Sequence, residues 1–277
     1  MKMKQTKGLT RNTIDKYYTK ESIVNLCLTI VKTTININKN DLIIEPSAGN
    51  GAFINGIKLL VNNYIFYDIE PENNEIIKQD FLHYSHNNYN NNNKIHIIGN
   101  PPFGRQSSLA IKFIKKSCEF CDSISFILPK SFKKDSLKKS FSLNFHLIKE
   151  VDLPDKSFLV EGTEYDVPCI FQIWEKKKSN RIIKEKLEPI DFKFVKKEEN
   201  PDISFRRVGV NAGTIDDVIN EKNINSHYFI KFTNGKSLDE NIKRLSAIKY
   251  DFNNTVGPKS ISKQELIVNF NKLLTEI

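Results

Sequence analysis

Between Asp41 and Trp174 short apolar runs alternate with segments whose apolar residues recur at helical spacing. DLIIEP, NYIFYD, KIHIIGN, SISFILP, FHLIKEVD and VPCIFQIW each read as a strand, and EIIKQD reads as a weaker one. TKESIVNLCLTIVKTTI, ahead of the first strand, and SSLAIKFIKKSCEF, between two later ones, read as helices, with Thr19 and Ser107 or Ser108 as N-caps. Strands and helices in strict alternation are the pattern of βαβ units, so a mostly parallel sheet of about seven strands is expected.

The chain has 277 residues, enough for one large domain and a small appendage. The charged stretch KKKSNRIIKEK, following the last of these strands, marks the junction, which divides the chain into residues 1–178 and a small α+β extension, 179–277. In the extension SHYFIKF reads as a strand, VGVNAGT and TVGPKS read as turns, and Ser262 to Glu265 forms a capping box ahead of a last helix. HNNYNNNNK is low in complexity and reads as an exposed loop. No apolar run reaches the roughly 18 residues of a membrane span, and MKMKQTKGLTR lacks a secretory signal, so an intracellular protein, cytoplasmic or nuclear, is expected. Cys27, Cys118, Cys121 and Cys169 lack the spacing of a zinc site and read as reduced thiols.

A net charge of +9 suits a polyanionic partner. From Ser179 onward 17 Lys plus Arg face 14 Asp plus Glu, a difference of only +3, so most of the excess lies earlier in the chain. It gathers in the acid-free N-terminal arm, with Lys2, Lys4, Lys7 and Arg11, and in KSFKKDSLKK, from Lys130 to Lys139.

Four segments carry chemistry, and each follows a strand. In LIIEPSAGNGAFI the strand ends at Glu45 and passes through a turn with Gly49 and Gly51, where bare backbone can approach a ligand and the acid can face a cationic or hydroxyl-rich group. The phosphate loop ending in GK[ST] is absent, and the spacing of Gly49, Gly51 and Gly56 fits the dinucleotide pattern in form only. In NYIFYDIEP the strand ends in Asp68, placed to accept hydrogen bonds from ribose hydroxyls, with Glu70 as the competing acid. In KQDFLHY, Asp80 can accept from an adenine amino group and Phe81 can offer a ring face. HIIGNPPFG is the most specific. The Asn100 side-chain oxygen and the Pro101 carbonyl can each accept a hydrogen from a conjugated amino group, Pro101 and Pro102 stiffen the backbone, and Phe103 can stack on a base.

These motifs, in this order from about Asp15 to Lys178, resemble the amino-group DNA methyltransferases, in particular the group whose cofactor motif precedes an NPPF or NPPY motif. The resemblance implies a Rossmann-like, seven-stranded methyltransferase sheet with one antiparallel strand near VPCIFQIW and S-adenosyl-L-methionine as cofactor. It assigns the methionine part to Tyr18 and Thr19 and the main cofactor motif to Glu45, Gly49 and Gly51. It further assigns the ribose to Asp68, the cofactor adenine to Asp80 and Phe81, and catalysis to Asn100, Pro101, Pro102 and Phe103. An aromatic following the sixth strand would close over the target base, with Phe158 ahead of Tyr165. Arg105, Lys133 and Lys134 would hold phosphates beside the site. Where many members carry a large target-recognition domain, this chain has its short, weakly charged extension. The implied substrate is adenine N6 in nucleic acid, DNA ahead of RNA; a protein glutamine amide and a silent cofactor-binding module are the further alternatives.

Overall fold

The computed structural model describes residues 17–86, 93–183, 185–250, 252 and 258–275. The basic N-terminal arm and most of the HNNYNNNNK tract lie outside the described residues. The chain forms two compact units, one up to Arg181 and one from Ile182.

In the larger unit β1 is Tyr18–Thr19, α1 Glu21–Thr34, β2 Leu42–Glu45, α2 Ile54–Leu60, β3 Asn63–Asp68, β4 Ile77–Lys78 and β5 Ile95–Gly99. They are followed by α3 Ser108–Cys118, β6 Ser123–Pro129, α4 Asp135–Lys138, β7 Phe145–Asp152, β8 Phe158–Val160, β9 Thr163–Tyr165 and β10 Cys169–Lys176. Seven strands form one sheet in the order β4-β3-β2-β5-β6-β10-β7. The first five are parallel, and β10 inserts antiparallel to both β6 and β7. The alternation of elements gave the mostly parallel sheet, and the resemblance implied its Rossmann-like form with VPCIFQIW as the antiparallel strand; both are as observed.

The period of two along each strand divides the apolar residues between the two faces. Ile43, Phe66 and Ile98 pack with Ile23, Val24, Cys27, Leu28 and Val31 of α1. Ile44, Ile97 and Phe126 pack with Ala110, Phe113 and Ile114 of α3. Both faces are covered, which is why the central strands β2, β5 and β6 are buried along most of their length. At the rear of the second face Phe141 stacks on Trp174 with centroids 4.0 Å apart, and the Arg181 guanidinium lies over the Trp174 ring while donating to the carbonyls of Lys138, Ser142 and Phe145.

Two expected caps differ. Thr19 belongs to β1, and Lys20 precedes α1 without a side-chain cap. Ser107 precedes α3 in a left-handed conformation, φ 62°, and also makes no side-chain cap; the Phe103 carbonyl accepts from the Leu109 and Ala110 amides instead. All four cysteines are buried free thiols, and burial pushes each one up, so none is a ready thiolate.

In the smaller unit β11 (Phe192–Val195), β12 (Ile203–Arg206), β13 (Ile215–Asp216) and β14 (His227–Phe232) form an antiparallel sheet in the order β11-β14-β12-β13. Phe192, Phe205 and Ile230 of this sheet pack against Leu245 of α5 (Leu238–Ser246) and Leu266 and Phe270 of α6 (Lys263–Thr275). The expected capping box opens α6: Ser262 Oγ accepts from the Glu265 amide at 3.2 Å, and Glu265 accepts from the Ser262 amide at 2.7 Å.

Candidate active site

The sheet order reverses between β2 and β5, whose crossovers leave in opposite directions, and a crevice forms outside the carboxyl ends of the strands at such a point. A cavity of about 260 Å³ lies there. Its wall includes Tyr17, Tyr18, Gly49, Asp68, Glu70, Glu72, Asp80, Phe81 and all four residues from Asn100 to Phe103.

The turn leaving β2 is bound tightly to β3. Gly49 and Gly51 both have positive φ, 54° and 88°, and a β-carbon on Gly51 would lie 2.6 Å from Ile54. One Asp68 oxygen accepts from the Gly49 amide at 2.7 Å and the other from the Glu70 amide at 2.8 Å. Asp68 is therefore both a wall residue and the brace that holds the glycine turn. The Tyr18 hydroxyl donates to Glu72 at 2.6 Å, and a β-carbon on Gly49 would meet the Tyr18 ring at 3.7 Å. Asp80 accepts from the Leu82 amide at 2.9 Å, while Phe81 is stacked on Phe113 with centroids 5.5 Å apart.

Asn100 is held through its side-chain nitrogen. Its amide nitrogen donates to the Tyr17 carbonyl at 3.3 Å and to the Thr19 hydroxyl at 3.2 Å. A backbone carbonyl can only accept, so the NH2 group must face it and Oδ1 must point the other way. That oxygen is buried and has no hydrogen-bond partner. Ser47 donates to the Asn100 backbone carbonyl at 3.1 Å, so the start of the diproline is held as well. A buried acceptor without a partner costs about 1–3 kcal/mol, which a donor arriving on a ligand would recover.

Three of the residues expected to hold the cofactor stand off the wall. Thr19 is buried against Asn100, reaching the site through that side chain. Glu45 is 2% exposed beneath Gly99, whose added β-carbon would approach the Glu45 side chain at 3.2 Å. Burial, and secondly repulsion from Asp68, pushes the Glu45 carboxyl well above the usual range, and its Oε2 also lacks a partner. Gly51 shapes the turn without lining the cavity.

Phe158 requires correction. Pairing of β8 with β1, with Phe158 opposite Thr19, turns its ring into the core at 0% exposure, so it cannot close over a base. Tyr17 stands on the wall instead, edge-on to Phe158 and tilted against the exposed Tyr165 at 5.6 Å. Sequence reasoning passed over Tyr17, Ser47 and Glu72; the doubled tyrosine in DKYYTKE was the available signal for the first.

Lys133 also departs from expectation. The KSFKK segment does follow β6, but Asp152 of β7 accepts from Lys133 at 2.7 Å and faces Lys130 at 3.4 Å, and Glu150 pairs with Lys138 at 3.0 Å. These carboxylates neutralise much of the positive charge of the segment. Arg105 is exposed directly after the NPPF motif, and Lys134 is half-buried.

Residues 36–179, more than half of the 277-residue chain, match the family described as the EDM2 methyltransferase-like domain. No curated protein sequence is significantly similar to the chain. Among solved structures, a provisionally assigned RNA methyltransferase of Pyrococcus horikoshii is similar with a TM-score of 0.48 and 16% identity, over 61% of this chain and 92% of its own. A provisionally assigned class I S-adenosylmethionine-dependent methyltransferase of Listeria monocytogenes gives 0.45 and 17%, over 61% and 64%. The methyltransferase subunit of a type I restriction-modification system from Streptococcus thermophilus gives 0.46 and 13%, over 61% and 47%, so the chain spans less than two thirds of these last two. Among the described residues no helix is long and apolar enough to cross a membrane. By the match over more than half its length, the chain belongs to the EDM2 methyltransferase-like domain family.

Proposed function

We propose that the chain transfers a methyl group from S-adenosylmethionine to the N6 amino group of adenine in DNA. The observation that carries this reading is the Asn100 side chain, anchored through its nitrogen and left with a buried oxygen that has no partner among the described residues, on a residue that lines the cavity. An amino group conjugated with a ring is a poor nucleophile until its hydrogens are held so that the lone pair points out of conjugation. Asn100 Oδ1 and the Pro101 carbonyl accept one hydrogen each. The rings of Pro101 and Pro102 lock φ, so the loop is stiff there, and Phe103 offers a flat face to the base.

The residues present fit the cofactor. Gly49 presents bare backbone to the cavity, Asp68 and Asp80 place acceptors on its wall, and Tyr18 and Phe81 supply ring surface, so these five would hold it. When bound, S-adenosylmethionine supplies an electrophilic methyl group. The chain then contributes orientation and fixed hydrogen-bond acceptors, both of which lower the barrier without a covalent intermediate.

The test is to incubate the protein with radiolabelled cofactor and, separately, duplex DNA, single-stranded DNA, RNA and a protein extract, then identify the labelled product. Label in N6-methyladenine from DNA is the expected result. Label in RNA adenine or in a glutamine amide would move the substrate to that class, and label nowhere would end the proposal.

Thr19→Val keeps the side-chain shape and removes the acceptor that orients Asn100. Single-turnover methyl transfer at saturating cofactor should slow about tenfold, the size expected for one lost hydrogen bond to a reacting group's partner. Cofactor affinity by calorimetry should stay unchanged, and Thr19→Ser should restore the rate. Loss of affinity without loss of rate would return Thr19 to the cofactor.

A further inference from the structure

The smaller unit has a groove of about 510 Å³ beside β11, β14 and the start of α6. Lys196, Lys197, Arg207 and Lys263 line it, against one carboxylate, Glu198. From Ile182 onward the sequence holds 16 Lys plus Arg and 14 Asp plus Glu, an excess of two. The groove, with four cations and one anion, gathers more than that excess in one place.

None of these four cations has a carboxylate partner among the described residues. Lys197 donates to the carbonyls of Asn220 and Lys222, both at 2.9 Å, and Arg207 donates to the Asn225 carbonyl at 2.9 Å. Carbonyl oxygens orient a cation and leave its charge intact, in contrast to the carboxylates that hold Lys130, Lys133 and Lys138. Rings lie against two of the four: Lys263 is 4.7 Å from the centre of Phe194, and Arg207 is 5.6 Å from that of Tyr228.

We infer that this groove binds a single strand of DNA, holding its phosphates on the four cations. Cationic grooves with aromatic rings suit a single strand, whose backbone can follow a concave surface that a duplex cannot enter. A groove of this volume takes about one or two nucleotides. The inference rests on the reading of DNA as substrate and specifies its form: the target adenine arrives unpaired, and no energy is spent in extracting it from a stacked duplex.

The full chain is titrated, without cofactor, against a short fluorescein-labelled single-stranded oligodeoxynucleotide over a range of salt concentrations. Lys196→Gln with Lys263→Gln should weaken binding about tenfold and lower the salt slope by about 1.4, or 0.7 per lost phosphate contact. Lys243→Gln with Lys272→Gln removes two exposed lysines elsewhere on the unit and should leave both nearly unchanged. Equal losses in the two pairs, or an unchanged slope in the first, would overturn the groove. Tighter binding of the matching ribonucleotide strand or of the duplex would overturn the choice of single-stranded DNA. Methyl transfer to the same strand is measured separately. Groove-dependent binding without transfer to any substrate defeats the proposed activity alone, whereas transfer with groove-independent binding defeats the groove alone.

Discussion

Asn100→Ala is expected to slow methyl transfer by about a thousandfold at saturating cofactor, while cofactor affinity stays nearly intact. Removing one fixed hydrogen-bonding group aimed at the reacting atom of an enzyme site costs about 10²–10³ in rate. Here the loss adds to that of the anchor to Tyr17 and Thr19, which holds the neighbouring backbone in place. The cofactor would be held by Gly49, Asp68 and Asp80, none of which hydrogen-bonds to the Asn100 side chain. Single-turnover rates and calorimetry separate the two effects. Full activity in this variant would sink the mechanism, and a parallel collapse of cofactor affinity would make Asn100 a binding residue.

Asp68→Ala should weaken cofactor binding about a hundredfold. Asp68 accepts from the amides of Gly49 and Glu70, so its loss removes both a wall acceptor and the brace on the glycine turn. Hydrogen bonds to a charged group are worth about 1.5–3 kcal/mol each, and the loss of one at the middle of that range is already more than tenfold. Asp68→Asn keeps an acceptor for one of the two amides and should fall between the variant and the parent. The same substitutions remove the negative charge that helps to raise Glu45, so the Glu45 carboxyl should move back toward its usual range. Calorimetry measures the affinity, and carboxyl titration by NMR follows Glu45. Unchanged affinity in Asp68→Ala would remove that residue from the cofactor site.

The sheet and the order of its motifs were legible because both are local properties. Strand runs such as DLIIEP and SISFILP carry their signal in consecutive residues, and each chemical segment follows directly from its strand. A parallel sheet then brings the strand ends to one edge, so Asp68, Asp80 and the NPPF motif converge without any further information. The capping box at Ser262 and Glu265 was legible for the same reason, since its two partners are three residues apart.

The direction in which a side chain faces, and what neutralises it, depended on contacts distant in sequence. Phe158 and Tyr17 are both aromatics near the site, and only the pairing of β8 with β1 decided that the first is core and the second is wall. Asn100 was evident as a residue, but the fixing of its oxygen required Tyr17 and Thr19, more than 80 positions earlier. In the basic cluster KSFKKDSLKK, Lys130 and Lys133 are paired with Asp152 and Lys138 with Glu150, because β7 runs beside it. The cations without a carboxylate partner among the described residues come from separate segments around Lys196, Arg207 and Lys263, which the fold alone assembles. Composition and period thus determined the strands of the main sheet and their order along the chain, since those follow from short-range propensity and burial. Charge balance, ring orientation and acceptor geometry were decided by the tertiary structure, because each is a distance between residues that the chain separates.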